Sequence, residues 1–307
     1  MRIVSYNVRY FAHGLKGLAS TGSMKRRISD ALHALRPLPD VICLQEIEAR
    51  SIRSGVAYRD GNGDNQLQAF LRYFAESFTR QGEAMPYDSY YFPAHTYRVG
   101  KVRIYTTGLA VLVHRETLRV IDDNQQAPHS ITHYGTDWLK PAKQTRICAH
   151  LHVEDARGKR FHVFNTHLSL PSVFAREFWR EERRMGHGRN QISEAEALVR
   201  YLDERAQGEP FILGGDFNSG PASPVYRFLT EKARLIGAQE ALAHLDLNNP
   251  EHFCTAGFLN LRMHLDHLFG VKVRWVDLEE TCAFGDPNSR FFGLSDHAPL
   301  IARFELE

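Results

Sequence analysis

The sequence predicts an α+β fold, a sandwich of mixed, largely antiparallel sheets. Helical and strand-like segments interleave from end to end, the strand candidates are short and several are joined by short turns, and the helix candidates are few and one-sided. Antiparallel hairpins mixed with helices argue against a doubly wound parallel sheet. The 307 residues are 43% hydrophobic and 24% charged, which excludes a disordered or collagenous chain. Without a repeat, a low-complexity tract or a Pro/Gly/Ser linker, residues 1–307 are expected to form one domain.

Each helix candidate has apolar residues at a 3.6-residue period. Met24, Ile28, Ala31, Leu32 and Leu35 share one face, with Pro37 ending the run. Leu67, Phe70, Leu71, Phe74 and Phe78 form a second face, and Ile192, Ala195, Leu198, Val199 and Leu202 a third, stopped by Gly208 and Pro210. A short helix is expected after Ser223, with Pro224 at its first position. Strands are expected at 2–8, 41–44, 108–114, 145–153, 160–166, 211–213, 263–269, 271–276 and 299–304, where β-branched and aromatic residues gather. The intervening 154–159 (EDARGK) is read as a hairpin loop.

The formal net charge of +2 does not mark a strongly basic polyanion binder, so local patches must decide any nucleic-acid role. No run of apolar residues is long enough to span a membrane. The opening MRIVSYNV has no apolar signal region. Cys43, Cys148, Cys254 and Cys282 are scattered and are expected to be reduced thiols, which suits a cytoplasmic location. No obligate protein partner is inferred.

The informative residues lie at strand ends. Asn7, Glu46, Asn165, His167, Asp216, Asn218, Asp266, Asp296 and His297 each follow or flank an apolar run, where they can converge on one rim. Their types fit metal-assisted phosphoester hydrolysis. A hard cation such as Mg²⁺ needs oxygen ligands, which Glu46 with Asn7 can offer. A phosphoryl group gaining charge needs donors such as Asn218, Asn165 and a histidine. A water must be oriented by Asp216 or by a histidine, and Asp266 with His297 would make a held imidazole.

SYN at 5–7, LQE at 44–46, NTHL at 165–168, GGDFN at 214–218, LDH at 265–267 and SDHAPL at 295–300 together resemble the motif set of the endonuclease/exonuclease/phosphatase superfamily. The resemblance runs over nearly the whole chain and implies the DNase-I-like four-layer α/β/β/α sandwich with its site at one rim. It implies Glu46 as principal metal ligand, supported by Asn7, with Asp296 as a second metal- or water-contacting acid. Asp216 and Asn218 would position the water and phosphoryl oxygens, and His297, oriented by Asp266, would be base or phosphate contact. His167 would be a second catalytic histidine, and Asn165 and Arg146 phosphate contacts. The cofactor implied is Mg²⁺ or Mn²⁺ and the substrate a phosphoester, nucleic acid included.

A phosphodiesterase or nuclease is favoured, and a nuclease is set slightly above a lipid or small-molecule phosphatase or phosphodiesterase because of basic segments alone. NTHL points away from the abasic-site endonuclease branch. Residues 173–190 carry two more arginines than glutamates and Phe178 and Trp179; they read either as an arm over the cleft or as a salt-bridged helix. Residues 97–103 hold three cations and no acid, and Arg50, Arg53 and Arg59 follow Glu46. A catalytically inactive phosphate-binding module is the alternative from another class. Of the sixteen histidines, His264 and His267 form H-x-x-H, and His95, His114, His129, His133, His150, His152, His162 and His187 are scattered; without a zinc-type spacing, most read as ordinary polar or half-buried side chains.

Overall fold

A computed structural model describes residues 1–11, 22–51, 65–99, 102–132, 145–171, 185–243, 245, 253–258, 261–278 and 284–307. One sheet has six strands in the order β14-β15-β1-β2-β4-β3. These are β1 (Arg2–Asn7), β2 (Val41–Ser51), β3 (Tyr87–Val99), β4 (Val102–His114), β14 (Val273–Leu278) and β15 (Leu300–Leu306). The second sheet runs β10-β13-β9-β8-β7-β5, with β6 (His129–Ser130) also pairing β7. Its strands are β5 (Leu118–Asp123), β7 (Ile147–Asp155), β8 (Arg160–His167), β9 (Phe211–Asp216), β10 (Ile236–Gly237) and β13 (Asp266–Val271). A small hairpin joins β11 (Ala256–Phe258) to β12 (Leu261–Met263).

Alternation along these strands builds the layers, because successive side chains leave a strand on opposite faces. Ile3, Val41, Cys43 and Val111 meet Ala149, Leu151, Val163, Ile212 and Leu268 between the sheets. Their neighbours Val4, Ile42, Leu44, Ala110 and Leu112 face outward onto Ile28, Leu32, Phe70 and Phe74 of the helices Gly22–His33 and Gln66–Thr79. On the other side Phe164, Leu213 and Phe269 pack on Ala195, Leu198 and Leu202 of the helix Arg189–Ala206. Three cores thus separate four layers, the α/β/β/α sandwich expected from the resemblance. Asn65 caps Gln66–Thr79 in a reciprocal capping box, and Ser223 caps the four-residue helix Pro224–Arg227. No helix among the described residues is long and apolar enough to cross a membrane.

Several strands differ from the sequence expectation. β2 continues to Ser51 through a register shift between Leu44 and Ile47, and β4 begins at Val102. Polar and Pro-containing β3 pairs with β4 along its length, its proline tolerated because it lies on an edge strand. The stretch 263–269 divides at His264 and Leu265 into β12 and β13. The β7–β8 hairpin forms as expected, its turn closed by Asp155 Oδ1, which accepts from the Arg157 and Lys159 amides at 2.9 Å each. Cys43, Cys148 and Cys254 are buried free thiols, and Cys282 lies outside the described residues.

Burial also holds histidines neutral. His150 is fully enclosed, stacked on Phe164 with ring centroids 4.8 Å apart, and burial, aided by His162, pushes it down to about 3. A histidine depressed in the folded state favours folding above its ordinary value near 6.5 and loses that contribution as pH falls toward the folded value. His150→Phe is therefore expected to flatten the acid-side loss of stability by up to about 1.4 kcal/mol per pH unit below 6.5. Urea unfolding of wild type and variant at pH 6.5 and 4.5 measures the difference; parallel losses would contradict it.

Candidate active site

The strands bring their polar ends to one rim. β1 ends at Asn7, β8 at His167 and β9 at Asp216, and β8 and β9 are parallel with His167 beside Asp216. β13 runs antiparallel to β9 and starts with Asp266 opposite Asp216. Glu46 comes from the irregularity inside β2 and has a left-handed backbone, φ 57°. Such a conformation in a non-glycine residue costs on the order of 1 kcal/mol or more and here turns the carboxylate toward the rim. His297 lies in the approach to β15, bridged to Ala256.

Asp216 is the centre of the cluster. Its Oδ2 accepts from Asn7 Nδ2 at 3.0 Å and lies 3.5 Å from His167 Nε2 and 3.7 Å from His297 Nε2. Its Oδ1 accepts from the Asn218 backbone amide at 2.9 Å. Asn7 Nδ2 also reaches Glu46 Oε1 at 3.4 Å, whereas its Oδ1 accepts from the Arg9 amide at 3.0 Å. In this arrangement Asn7 orients two carboxylates with its N–H group. Asn218 Nδ2 donates to Leu168 O at 2.9 Å and lies 3.2 Å from His167 Nε2, which marks that nitrogen as an acceptor. Asp266 Oδ2 pairs with His297 Nδ1 at 2.8 Å. Thr255 Oγ1 accepts from the Leu265 and Asp266 amides at 2.9 and 3.0 Å and fixes the start of β13.

The electrostatics follow from burial. Asp216 is 2% exposed; burial, with Asp266 adding to it against the pull of His297, pushes its carboxyl up to about 7. Burial also raises Glu46, partly countered by His297. For His297 burial opposes the cation, but Asp266 and Asp216 outweigh it and push the ring up to about 10. His167 is held well below its ordinary value by burial and by the Arg146 and His297 cations. Opposite charges on His297 and its acids, beside a neutral acceptor imidazole, make a polarised site.

One expected residue sits elsewhere, and another, Asp296, stays close enough to the site for its charge to act on Glu46 and His297 but is paired there. Asn165 is fully buried between the sheets: its Oδ1 accepts from Gln45 Nε2 at 2.8 Å and its Nδ2 donates to Leu44 O and Ala110 O at 3.1 and 3.3 Å. With its amide spent on these bonds, this placement does not support the phosphate-contacting role. Asp296 lies 2.6 Å from Arg9 Nη1, so its carboxylate is engaged by a guanidinium. Arg146 does reach the rim, lining a pocket with Tyr10, Glu46, Thr107, Gly108 and His167. Its Nε donates to Ser169 Oγ at 3.4 Å, and Ser169 Oγ in turn donates to Glu194 Oε1 at 2.7 Å.

Sequence reasoning missed Arg9, Thr255 and Ser295, whose Oγ donates to Asn7 O at 2.7 Å. Arg9 stands two residues beyond Asn7, and that adjacency is the one signal that pointed to it. The side chains of 96–99 and 102–105, residues 100–101 and 172–184, and Arg53 and Arg59 lie outside the described residues, as does the side chain of Arg50. The readings of the basic segments fall on them.

A family model described as the Endonuclease/Exonuclease/phosphatase family matches residues 4–297. The chain belongs to this family. As a member of the endonuclease/exonuclease/phosphatase family it is a phosphoester hydrolase of nuclease or phosphatase type. Among solved structures it is similar to the human Nocturnin catalytic domain with bound sulfate, at 20% identity and TM-score 0.64, covering 100% of this chain and 93% of that one. ANGEL2, a 2′,3′-cyclic phosphatase in complex with adenosine-2′,3′-vanadate, matches at 16% identity and TM-score 0.65, covering 100% and 95%. A Bacteroides thetaiotaomicron mannosyl-6-phosphatase matches at 16% identity and TM-score 0.59, covering 100% of both chains. At these identities the likeness establishes the fold. No curated protein matches the chain in sequence.

Family members commonly use divalent metals, and the donor set fits one. Glu46 Oε1 and Asp216 Oδ2 both flank the acceptor nitrogen of His167, at 4.0 and 3.5 Å. Asp266 Oδ1 is buried without a hydrogen-bond partner among the described residues. Asp216 and Asp266 each bring a carboxylate oxygen within 4.8 Å of the other and of a His297 ring nitrogen. Crowded acceptors with raised carboxyl groups are what a dication relieves.

Proposed function

We propose that the chain is a Mg²⁺- or Mn²⁺-dependent phosphodiesterase, with nucleic acid the favoured substrate class. The observation that carries this reading is Asp216, held by Asn7 and Asn218 while facing His167 and His297 within 3.7 Å. Glu46, with Asp216 beside it, would hold the cation. When bound, that ion supplies Lewis-acid charge to a phosphoryl oxygen. Asp216 aligns and deprotonates the attacking water, since its Oδ2 is the carboxylate oxygen that faces both histidines. His297, kept cationic by Asp266, opposes charge developing on the phosphoryl oxygens. Asn218 fixes the orientation of His167 at the same centre. Arg146 lines the pocket, and Arg9 stands beside Asn7, paired with Asp296; both add positive charge that favours an anionic substrate. No covalent enzyme intermediate is required.

The test is a substrate panel: bis-p-nitrophenyl phosphate, p-nitrophenyl phosphate, plasmid DNA, single-stranded RNA and sphingomyelin, each with Mg²⁺ and with EDTA. Diester and nucleic-acid turnover confined to the Mg²⁺ arm is the expected result. Preference for the monoester would overturn the diester reading. Ligand-dependent stabilisation without any turnover would favour a binding module instead. Arg9→Ala is expected to raise KM about 10-fold with a smaller change in kcat, because it removes a charged contact made in ground and transition states alike. Steady-state kinetics on bis-p-nitrophenyl phosphate checks it; an unchanged KM would remove Arg9 from substrate binding.

A further inference from the structure

A second convergence of ligating atoms lies at the other end of β8. His152 and His162 are direct cross-strand partners in β7 and β8, so their side chains rise from one face. Their rings stack with centroids 4.3 Å apart and planes 8° from parallel. Glu209, in the connection from the helix Arg189–Ala206 to β9, places Oε2 3.0 Å from His152 Nε2 and 3.1 Å from His162 Nε2. His152 Nε2 is sealed from solvent and, among the described residues, makes no well-formed hydrogen bond despite that proximity. His162 is five residues from His167 along β8, roughly 17 Å at about 3.4 Å per residue, so this cluster is separate from the active site.

We propose that His152, His162 and Glu209 form a binding site for a transition-metal dication of the zinc class. A tetrahedral ion with bonds of about 2.0–2.1 Å sets its ligands roughly 3.3 Å apart, and both Glu209–histidine distances already approach that edge. Two imidazoles and one carboxylate prefer Zn²⁺ or Co²⁺ to Mg²⁺ or Ca²⁺. A support for the first ligands is in place: His150 Nε2 lies 2.8 Å from His162 Nδ1 and holds the ring with Nε2 toward Glu209. Metal binding requires the His162 proton on Nδ1, where it is donated to His150. Asp122 pairs with Arg205 and offsets the nearby guanidinium, leaving the Glu209 charge for the cation. The Glu209 side chain is 46% exposed, which provides an entry and room for water as a fourth ligand. The bound ion ties the connection before β9 to the β7–β8 hairpin, reinforcing the bond from the His162 amide to Pro210 O at 2.9 Å.

The test titrates the chelator-stripped full chain with Zn²⁺ against a chromophoric chelator, beside Glu209→Gln, His152→Gln and Glu46→Gln. Wild type and Glu46→Gln are expected to take up one tight equivalent that Glu209→Gln and His152→Gln bind at least ~10-fold more weakly. Co²⁺ in the same site should give ligand-field bands that Glu209→Gln lacks, while Mg²⁺-supported turnover of Glu209→Gln stays at the wild-type level. Equal Zn²⁺ affinity and stoichiometry in wild type, Glu209→Gln and His152→Gln overturns the proposal. Loss of the equivalent in Glu46→Gln with retention in Glu209→Gln also overturns it, by assigning Zn²⁺ to the phosphoester site.

Discussion

Replacing Asp216 by asparagine is expected to lower kcat on bis-p-nitrophenyl phosphate by at least ~10²-fold while leaving the fold intact, the scale of a lost acid–base group. The substitution is nearly isosteric. The Asn218 amide keeps an oxygen to bond, but the new NH₂ faces the Asn7 Nδ2 donor where Oδ2 accepted at 3.0 Å. That lost hydrogen bond costs about 1 kcal/mol, and removing an acid whose carboxyl is pushed up to about 7 by burial offsets it. Stability should therefore change by no more than about 1 kcal/mol, which urea unfolding measures beside the kinetics. His297→Ala is expected to lose a similar factor in kcat, but with a different stability signature. His297 is raised to about 10 in the fold, so its contribution is fully present below its ordinary value near 6.5 and fades as pH rises toward 10. Its removal leaves Asp266 buried without its partner, so this variant should be measurably less stable than Asp216→Asn at pH 7. Near-normal turnover in either variant would remove the role assigned to that residue.

The parts of this site legible in the sequence are those that local pattern encodes. Apolar runs of β-branched residues announced β1, β8 and β9, and the polar residue closing each run announced Asn7, His167 and Asp216. Glu46 was found for a reason that proved incomplete. It read as a strand end, whereas β2 passes through it with a left-handed residue that no periodicity can signal. Asn165 shows the opposite failure: it has the right type at the right strand end, but the sheet behind it consumes its amide, which becomes visible only when Gln45 and Ala110 are placed. Edge strand β3 escaped notice because its tyrosines and polar residues alternate without a strong apolar face. The His152–His162 pair escaped for a related reason. Its partners are ten residues apart in sequence and become adjacent only in the hairpin register, while Glu209 arrives from a third segment. Spacing rules for zinc detect ligands on one helix or knuckle and are blind to cross-strand pairs.

EDTA is expected to abolish turnover and Mg²⁺ or Mn²⁺ to restore it, and Glu46→Gln should reproduce much of the EDTA effect at fixed Mg²⁺, with at least ~10²-fold lower kcat/KM. The argument rests on what Glu46 costs the protein. Its carboxyl is raised by burial, so the fold gains nothing from holding the charge there. Its backbone occupies a conformation worth on the order of 1 kcal/mol or more of strain. The hydrogen bond it accepts from Asn7 is long at 3.4 Å. A side chain held at such expense beside Asp216 and the acceptor nitrogen of His167 makes sense as a cation ligand. Glutamine preserves its shape, the bulge and an acceptor oxygen for Asn7, but removes the charge that competes for a dication against water. The variant should therefore remain as stable as wild type in metal-free buffer and recover part of its activity as Mg²⁺ is raised. Circular dichroism melts in EDTA and a Mg²⁺ titration of kcat/KM separate this from a folding defect. A Glu46→Gln protein with wild-type activity at every Mg²⁺ concentration would remove Glu46 from metal binding, and full turnover in EDTA would remove the metal from the reaction.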